Sequence, residues 1–281
     1  MKVTVVTPVY NGMPWLPECV ASVAEQRRDV DVEHLVYDGG STDGSAEWLR
    51  EHTALGYEAI IGPDGGQTDA LAKGFGRATG EVFAWLNADD LLEPGALARV
   101  VAVFTADPGL AMVSGACLVI DSSGVVTRAM GAPPVATFRG LLCLPWNPPQ
   151  PATFFSAEAY RRGEGLDRRY HYAMDIDLWL KLAQVGPIQT LPTQVLARFR
   201  EHPNAKSVAI GASARESLRV RRRHGMPLRC RATPWLVQAG FVGPVVSPFT
   251  RAFRRLVRRL LLGRADAPRA ANPASVETPR P

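Results

Sequence analysis

The chain has 281 residues, enough for one large α/β domain with an appendage, and its 46% hydrophobic and 21% charged content excludes wholesale disorder. The net charge of +5 conceals a division: residues 215–264 carry 13 arginines and a single acid, Glu216, which leaves 19 bases against 26 acids elsewhere. An acidic body with a basic region points that region at phosphate, either of nucleic acid or of an anionic membrane surface.

The chain opens MKVTVVTPVYNG, too short and polar a run for a secretory segment and rich enough in valine for a first strand. Apolar, β-branched runs at Val3–Val6, His34–Tyr37, Ala59–Ile61 and Val82–Leu86 alternate with helix-like stretches. That order predicts an α/β fold with a mostly parallel sheet flanked by helices, whose ligands bind at the carboxyl ends of the strands. Polar loops follow three of these strands: Thr7–Gly12, Asp38–Ser45 and Asn87-Ala88-Asp89-Asp90. Between about 110 and 200 the pattern is mixed, with a strand over Ala111–Ile120, a proline-rich connection at Pro145–Pro151 and a helix from Met174 to Ala183. An arginine-rich helix over Ser213–Arg223 precedes an uncharged stretch, 232–250, then Arg251–Leu262 and a Pro/Ala tail.

Each polar loop has two readings. Adjacent carboxylates at a strand end suit Mg²⁺ or Mn²⁺, which take oxygen ligands together with substrate phosphates; equally, Asp90 suits the cap of a helix starting near Glu93-Pro94. Asp38 offers acceptors for a base N–H or ribose hydroxyls, while Ser41 or Asp43 also reads as a helix cap. Trp146, Trp179, Phe154 and Phe155 read as core aromatics.

Taken in order, Thr7-Pro-Val-Tyr-Asn-Gly, Asp38-Gly-Gly-Ser-Thr-Asp-Gly-Ser, Thr79-Gly-Glu…Trp85-Leu-Asn-Ala-Asp-Asp, Tyr172-Ala-Met-Asp-Ile-Asp-Leu-Trp-Leu and Arg200-Glu-His-Pro-Asn-Ala-Lys-Ser resemble the family-two glycosyltransferases of GT-A fold, over about residues 2–207. The resemblance implies that Thr7, Tyr10 and Asp38 hold the nucleotide of a nucleotide-sugar donor, with Gln67 and Lys73 beside its base and phosphates. It implies that Asp89, with Asp90 or Asn87, holds a divalent metal (Mn²⁺ or Mg²⁺) and the donor, and that His202 faces the diphosphate or the metal. Asp175 becomes the general base of an inverting transfer, with Asp177 as its rival. Two positions depart from the family pattern: Asn87 replaces the usual first aspartate, and Leu71-Ala72 precedes Lys73 where an asparagine is common.

The implied acceptor is a saccharide or lipid-linked hydroxyl in polysaccharide or glycolipid synthesis. A nucleotidyltransferase is the enzyme alternative, disfavoured because Thr7–Gly12 lacks the basic residue of an activating loop; a non-catalytic nucleotide-sugar-binding module is the other. The expected division is a glycosyltransferase domain over 1–207, an arginine-rich helical extension over 208–263 and a tail over 264–281. Arg251–Leu262 reads as an amphipathic cationic helix for an anionic membrane face. Residues 232–250 carry Pro234, Pro244 and Pro248 and suit an interfacial or re-entrant segment better than a span. The arginines lack interleaved aromatics, so nucleic acid is not an expected partner. Cys19, Cys117, Cys143 and Cys230 share no CxxC spacing and read as reduced, structural thiols of a cytoplasmic protein, peripheral on the inner membrane face.

Overall fold

The computed structural model describes residues 1–133, 136–144, 147–227 and 230; Trp146, 232–250, 251–262 and the tail lie outside them. The first half runs β1 (Val3–Val9), α1 (Leu16–Glu25), β2 (Val32–Asp38), α2 (Ser45–Glu51), β3 (Glu58–Ile61), α3 (Gln67–Arg77) and β4 (Val82–Trp85). Every residue of β1 and β4 is buried, as expected of strands covered on both faces, which read as continuous apolar runs. The second half runs β5 (Leu91–Leu92), α4 (Ala96–Ala106), β6 (Met112–Ile120), β7 (Val126–Met130), α5 (Phe138–Cys143), β8 (Thr153–Ser156), α6 (Ala157–Arg162), α7 (Met174–Val185), β9 (Ile188–Arg200) and α8 (Ile210–Arg223).

These strands form one sheet of order β3-β2-β1-β4-β8-β6-β9-β5, with β7 beside β6. The four strands β3, β2, β1 and β4 are mutually parallel, while β8, β5 and β7 pair antiparallel, so the parallel expectation describes the first half and the second is mixed. Val9 aligns with Asp38, Asp38 with Ile61 and Val6 with Trp85. That register brings the loops after β1, β2, β3 and β4 to one edge.

Core side chains divide between the two sheet faces by strand alternation. On one face Phe75, Phe83, Phe155, Tyr160 and Trp179 interlock; on the other Phe154 packs with Val100 and Phe104 of α4 and Val23 of α1. The helix α3 lies so close to β1 that a Cβ at Gly74 would stand 2.4 Å from a Val6 methyl, which only glycine allows.

Two expectations change. The helix after Asp90 does not use that carboxylate as a cap: α4 begins at Ala96, with Gly95 at φ 68° as its N-cap, and Asp90 is fully buried. The cysteines are not all free, because Cys143 at the end of α5 and Cys230 form a disulfide across 87 residues, while Cys19 and Cys117 are free and buried. The basic helix α8 packs on the body through one side, where Ala214, Ser217, Leu218, Val220 and Arg221 are buried, three of them in the core that holds Trp179 of α7. Among the described residues no helix is long and apolar enough to cross a membrane.

Candidate active site

Side chains from the first two polar loops stitch them together. Asn11 takes a left-handed backbone, φ 53°, which asparagine tolerates better than most residues. Its amide oxygen accepts from Thr42 N–H at 2.9 Å, and the N–H groups of Asn11, Gly12 and Met13 donate to Ser41 Oγ, Ser45 Oγ and Asp43 Oδ2 at 2.8, 3.0 and 2.8 Å. Asp43 also accepts the Ser45 N–H at 3.0 Å, but the N-cap of α2 is Gly44 with no side-chain cap, so Asp43 joins the loops instead of capping the helix. Ser41 is spent on the loop joint instead of a cap.

Above these loops lies a cleft of about 930 Å³, reached by Tyr10, Trp15, Gln67, Asp89, His202 and Lys206 among others. Tyr10 stands 72% exposed at its lip. Asp38 sits at the end of β2, where Oδ1 accepts from the Gly40 and Ser41 N–H groups at 3.0 and 2.9 Å. Its Oδ2 is buried with no partner among the described residues, an acceptor still to be satisfied. Thr7 is placed differently from expectation: its side chain is buried and meets His34 Nε2 at 2.9 Å beneath the loop. Burial pushes the His34 imidazole down to about 3, so the pair is a neutral structural contact.

Asn87 is a hub. Its Oδ1 accepts from Gln67 Nε2 and Trp85 Nε1, both at 2.7 Å, and its Nδ2 donates to Asp90 Oδ2 at 3.1 Å and Gln150 Oε1 at 3.0 Å. That use saturates the amide and removes Asn87 from the metal ligands expected from sequence. Asp90 is removed too: it is fully buried, does not line the cleft, and its other oxygen accepts the Arg200 N–H at 3.0 Å, fixing the end of β9. Burial, followed by the neighbouring Asp89 charge, pushes the Asp90 carboxyl well above the ordinary range. Both residues build the floor on which Asp89 stands.

Asp89 faces the cleft, 27% exposed, with Oδ2 2.9 Å from His202 Nε2. The His202 ring packs tilted against Trp15, centroids 4.2 Å apart, and the guanidinium of Arg200 lies 5.7 Å from the same indole. Arg200 is almost fully buried yet satisfied, donating to the Asp89 carbonyl at 3.0 Å and to Glu18 Oε2 at 2.7 Å. No group of three or more His, Cys, Asp or Glu among the described residues could hold a metal unaided. Asp89 and His202 nevertheless set a carboxylate oxygen and an imidazole nitrogen 2.9 Å apart at the cleft, and a hard cation binds through one or two carboxylates with substrate phosphates and water for the rest. The donor set fits such an ion.

Gln67 opens α3 and accepts from Lys206 Nζ at 2.9 Å. Lys206 was not singled out from sequence, although it stands within the quoted Arg200–Ser207 motif; its spacing from His202 could have flagged it. Burial pushes its ammonium down to about 8. Lys73 is not brought to the cleft: it pairs with Asp69 one turn earlier on α3, at 2.7 Å and 44% exposed. Asp175, in the first turn of α7, does not line the cleft itself. Burial pushes its carboxyl up to about 6 against the opposing pull of the Arg221 and Lys206 charges. Its rival Asp177 is occupied, ion-paired with Lys181 and hydrogen-bonded to His224, at 2.8 Å each.

A family model described as glycosyl transferase family 2 matches residues 4–159. An uncharacterized glycosyltransferase of Nostoc sp. is 38% identical over 107 residues, 37% of this chain and 33% of that protein. The chondroitin synthase of Escherichia coli is 28% identical over 199 residues, 66% of this chain and 27% of that protein, so the chain spans about a third or less of these curated relatives. In fold it is similar to TarS of S. aureus, crystallised with UDP-GlcNAc, with TM-score 0.64 and 16% identity over 93% of this chain and 76% of that one. It is also similar to the mannosyltransferase PcManGT of Pyrobaculum calidifontis, in complex with GDP-Man and Mn²⁺, with TM-score 0.62 and 21% identity over 92% of this chain and 80% of that one. The sheet order, the loops gathered at one strand edge and the matched family model together place the chain in glycosyl transferase family 2, with a GT-A fold.

Proposed function

We propose that this chain transfers a sugar from a nucleotide-sugar donor to an acceptor hydroxyl with inversion at the anomeric carbon. The observation that carries the proposal is one cleft that gathers Tyr10, Asp89 with His202, and Lys206, with Asp38 and its unsatisfied buried oxygen next in the chain to Gly39 on the cleft wall, and Lys206 also acting by its charge on Asp175. Donors of this class are bound in the complexes of TarS and PcManGT, which supports the assignment of the cleft.

Asp89 and His202 would hold a divalent cation, which supplies neutralising charge for a departing diphosphate. Lys206 adds a second positive charge on the cleft wall, set in place by Gln67. Tyr10 and the 10–15 loop cover the nucleotide, and Asp38 reads an N–H or hydroxyl donor. In the transfer, the acceptor oxygen bonds to the anomeric carbon as the carbon–phosphate oxygen bond breaks. The nucleoside diphosphate leaves and the acceptor proton passes to Asp175. A carboxyl held near 6 is ionised at neutral pH and still basic enough to receive that proton.

The chondroitin synthase relative makes a polymer acceptor in cell-surface polysaccharide or glycolipid synthesis a reasonable assignment. Arg219, Arg222 and Arg223 are exposed on α8, which supports peripheral binding to an anionic membrane surface on the cytoplasmic side. Vesicles containing anionic lipid should pellet the protein in low salt and neutral vesicles should not; equal pelleting would remove the membrane assignment. The reaction itself is tested by Asp175→Asn, which should keep metal-dependent donor binding and lose at least about 100-fold in transfer. Full transfer by that variant would refute the assignment of the base.

A further inference from the structure

The acidic side chain that stands alone among the arginines of 215–264 has a definite task. Glu216 projects from α8 toward the entry of α7, where three consecutive N–H groups precede the helix. Its Oε2 accepts from His171 N–H at 3.0 Å, from Tyr172 N–H and from Ala173 N–H at 2.7 Å. The α7 N-cap residue, Ala173, has no side-chain cap of its own, and a helix start carries unsatisfied donors and partial positive charge. A carboxylate from another helix meets both needs at once.

The clamped segment links two parts of the site. His171 lines the cleft, the Tyr172 ring lies 5.6 Å from Lys206 Nζ, and Asp175 follows within the first turn of α7. Other groups of α8 hold the same helix. His224, just past its end, bonds Asp177 at 2.8 Å. The Arg221 guanidinium, buried and tied to the Leu141 carbonyl and to Asn147 Oδ1 at 2.6 Å, acts on Asp175 by its charge. We infer that Glu216 is a positioning residue, which fixes the 171–173 backbone so that His171 stays on the cleft wall and Asp175 is presented to the acceptor. This rests on the reading of Asp175 as base.

The test compares Glu216→Ala, Glu216→Asp and Glu216→Gln with the parent, using the full chain, its matched donor and Mn²⁺. Glu216→Ala should lower kcat by about 10- to 100-fold, the scale set by an ångström of misplacement, while donor KM changes by less than about 2-fold. The acid limb of its kcat–pH profile should move, because the charged groups around Asp175, namely Arg221 from α8 and Lys206 from the cleft wall, shift relative to it. Glu216→Gln, which keeps an oxygen acceptor, should recover most of kcat. If Glu216→Ala does not fold, Glu216→Asp, with the same charge withdrawn by one methylene, carries the comparison and should also lose kcat. Parental kcat and pH profile in the folded variants would overturn the inference, as would equal losses in kcat and donor binding. Should Asp175→Asn transfer normally, the base assignment falls and the inference with it; should Asp175→Asn be inactive while the Glu216 variants are parental, the inference alone falls.

Discussion

Asparagine at position 87 does what the family's usual aspartate would not do in this chain. Its Nδ2 donates to Asp90 Oδ2 and Gln150 Oε1 while its Oδ1 accepts from Gln67 and Trp85. A carboxylate there would donate nothing and would face the fully buried Asp90 across about a hydrogen-bond length. Asn87→Asp should therefore destabilise the fold by about 2–3 kcal/mol, the scale of a buried polar group losing its partner, and chemical denaturation measures it. If stability were unchanged, the hub would not be holding the cleft floor. Two titrating groups set the expected pH dependence. Asp175, raised to about 6 by burial, must be ionised to accept a proton, so the rate rises as pH passes about 6. Lys206, lowered to about 8 by burial, must be protonated to face phosphate, so the rate falls as pH passes about 8. A kcat–pH profile should be bell-shaped between them; an acid limb retained in Asp175→Asn would assign that limb to another group.

At the scale of elements, the first four strands and their loops were legible because strands covered on both faces must be apolar throughout and chains between them must return by helices. The Met174–Ala183 helix was legible for a similar reason, since it is buried on most sides and its residues are mostly apolar. What joins the elements was not legible. Lys206 meets Gln67 across 139 residues, and Glu216 meets the 171–173 backbone across about 45; both contacts depend on the strand order, which no local pattern encodes. The Cys143–Cys230 pair is hidden for the same reason. Glu33 shows how such contacts stabilise the sheet edge. Burial pushes its carboxyl up, but hydrogen bonds from Thr4, Thr79 and Lys2 outweigh that and hold it at about 2. Because the folded-state value lies below the unfolded one, this stabilisation is complete above the ordinary value of 4.5 and fades as pH falls toward about 2. Glu33→Gln should cost about 2 kcal/mol at pH 7 and flatten the acid side of the stability curve; an unchanged curve would show that β1, β2 and the turn before β4 are joined by other means.

At the scale of the whole molecule, composition separated an acidic body from a basic region, yet the helix α8 has two sides. Its buried side carries Leu218, Val220 and Arg221 into the core beside α7, while Arg219, Arg222 and Arg223 face outward. A count of charge by segment cannot register such a division, because it depends on angular position around the helix. The consequence is that the proposed membrane-facing surface lies on α8, a helix that shares its core with α7, the carrier of the proposed base. The central claim, however, concerns the cleft: a donor bound through Asp89 and His202 with a divalent cation. The most direct measurement is a thermal-shift titration of the full chain with UDP-, GDP- and dTDP-sugars in Mn²⁺, Mg²⁺ or chelator, repeated for Asp89→Ala and Lys206→Met. One donor class should stabilise the parent by about 3 kcal/mol near 100-fold saturation, with the effect lost in chelator and in Asp89→Ala and weakened in Lys206→Met. Stabilisation by every donor class regardless of metal and of Asp89, or by none of them, would contradict the account.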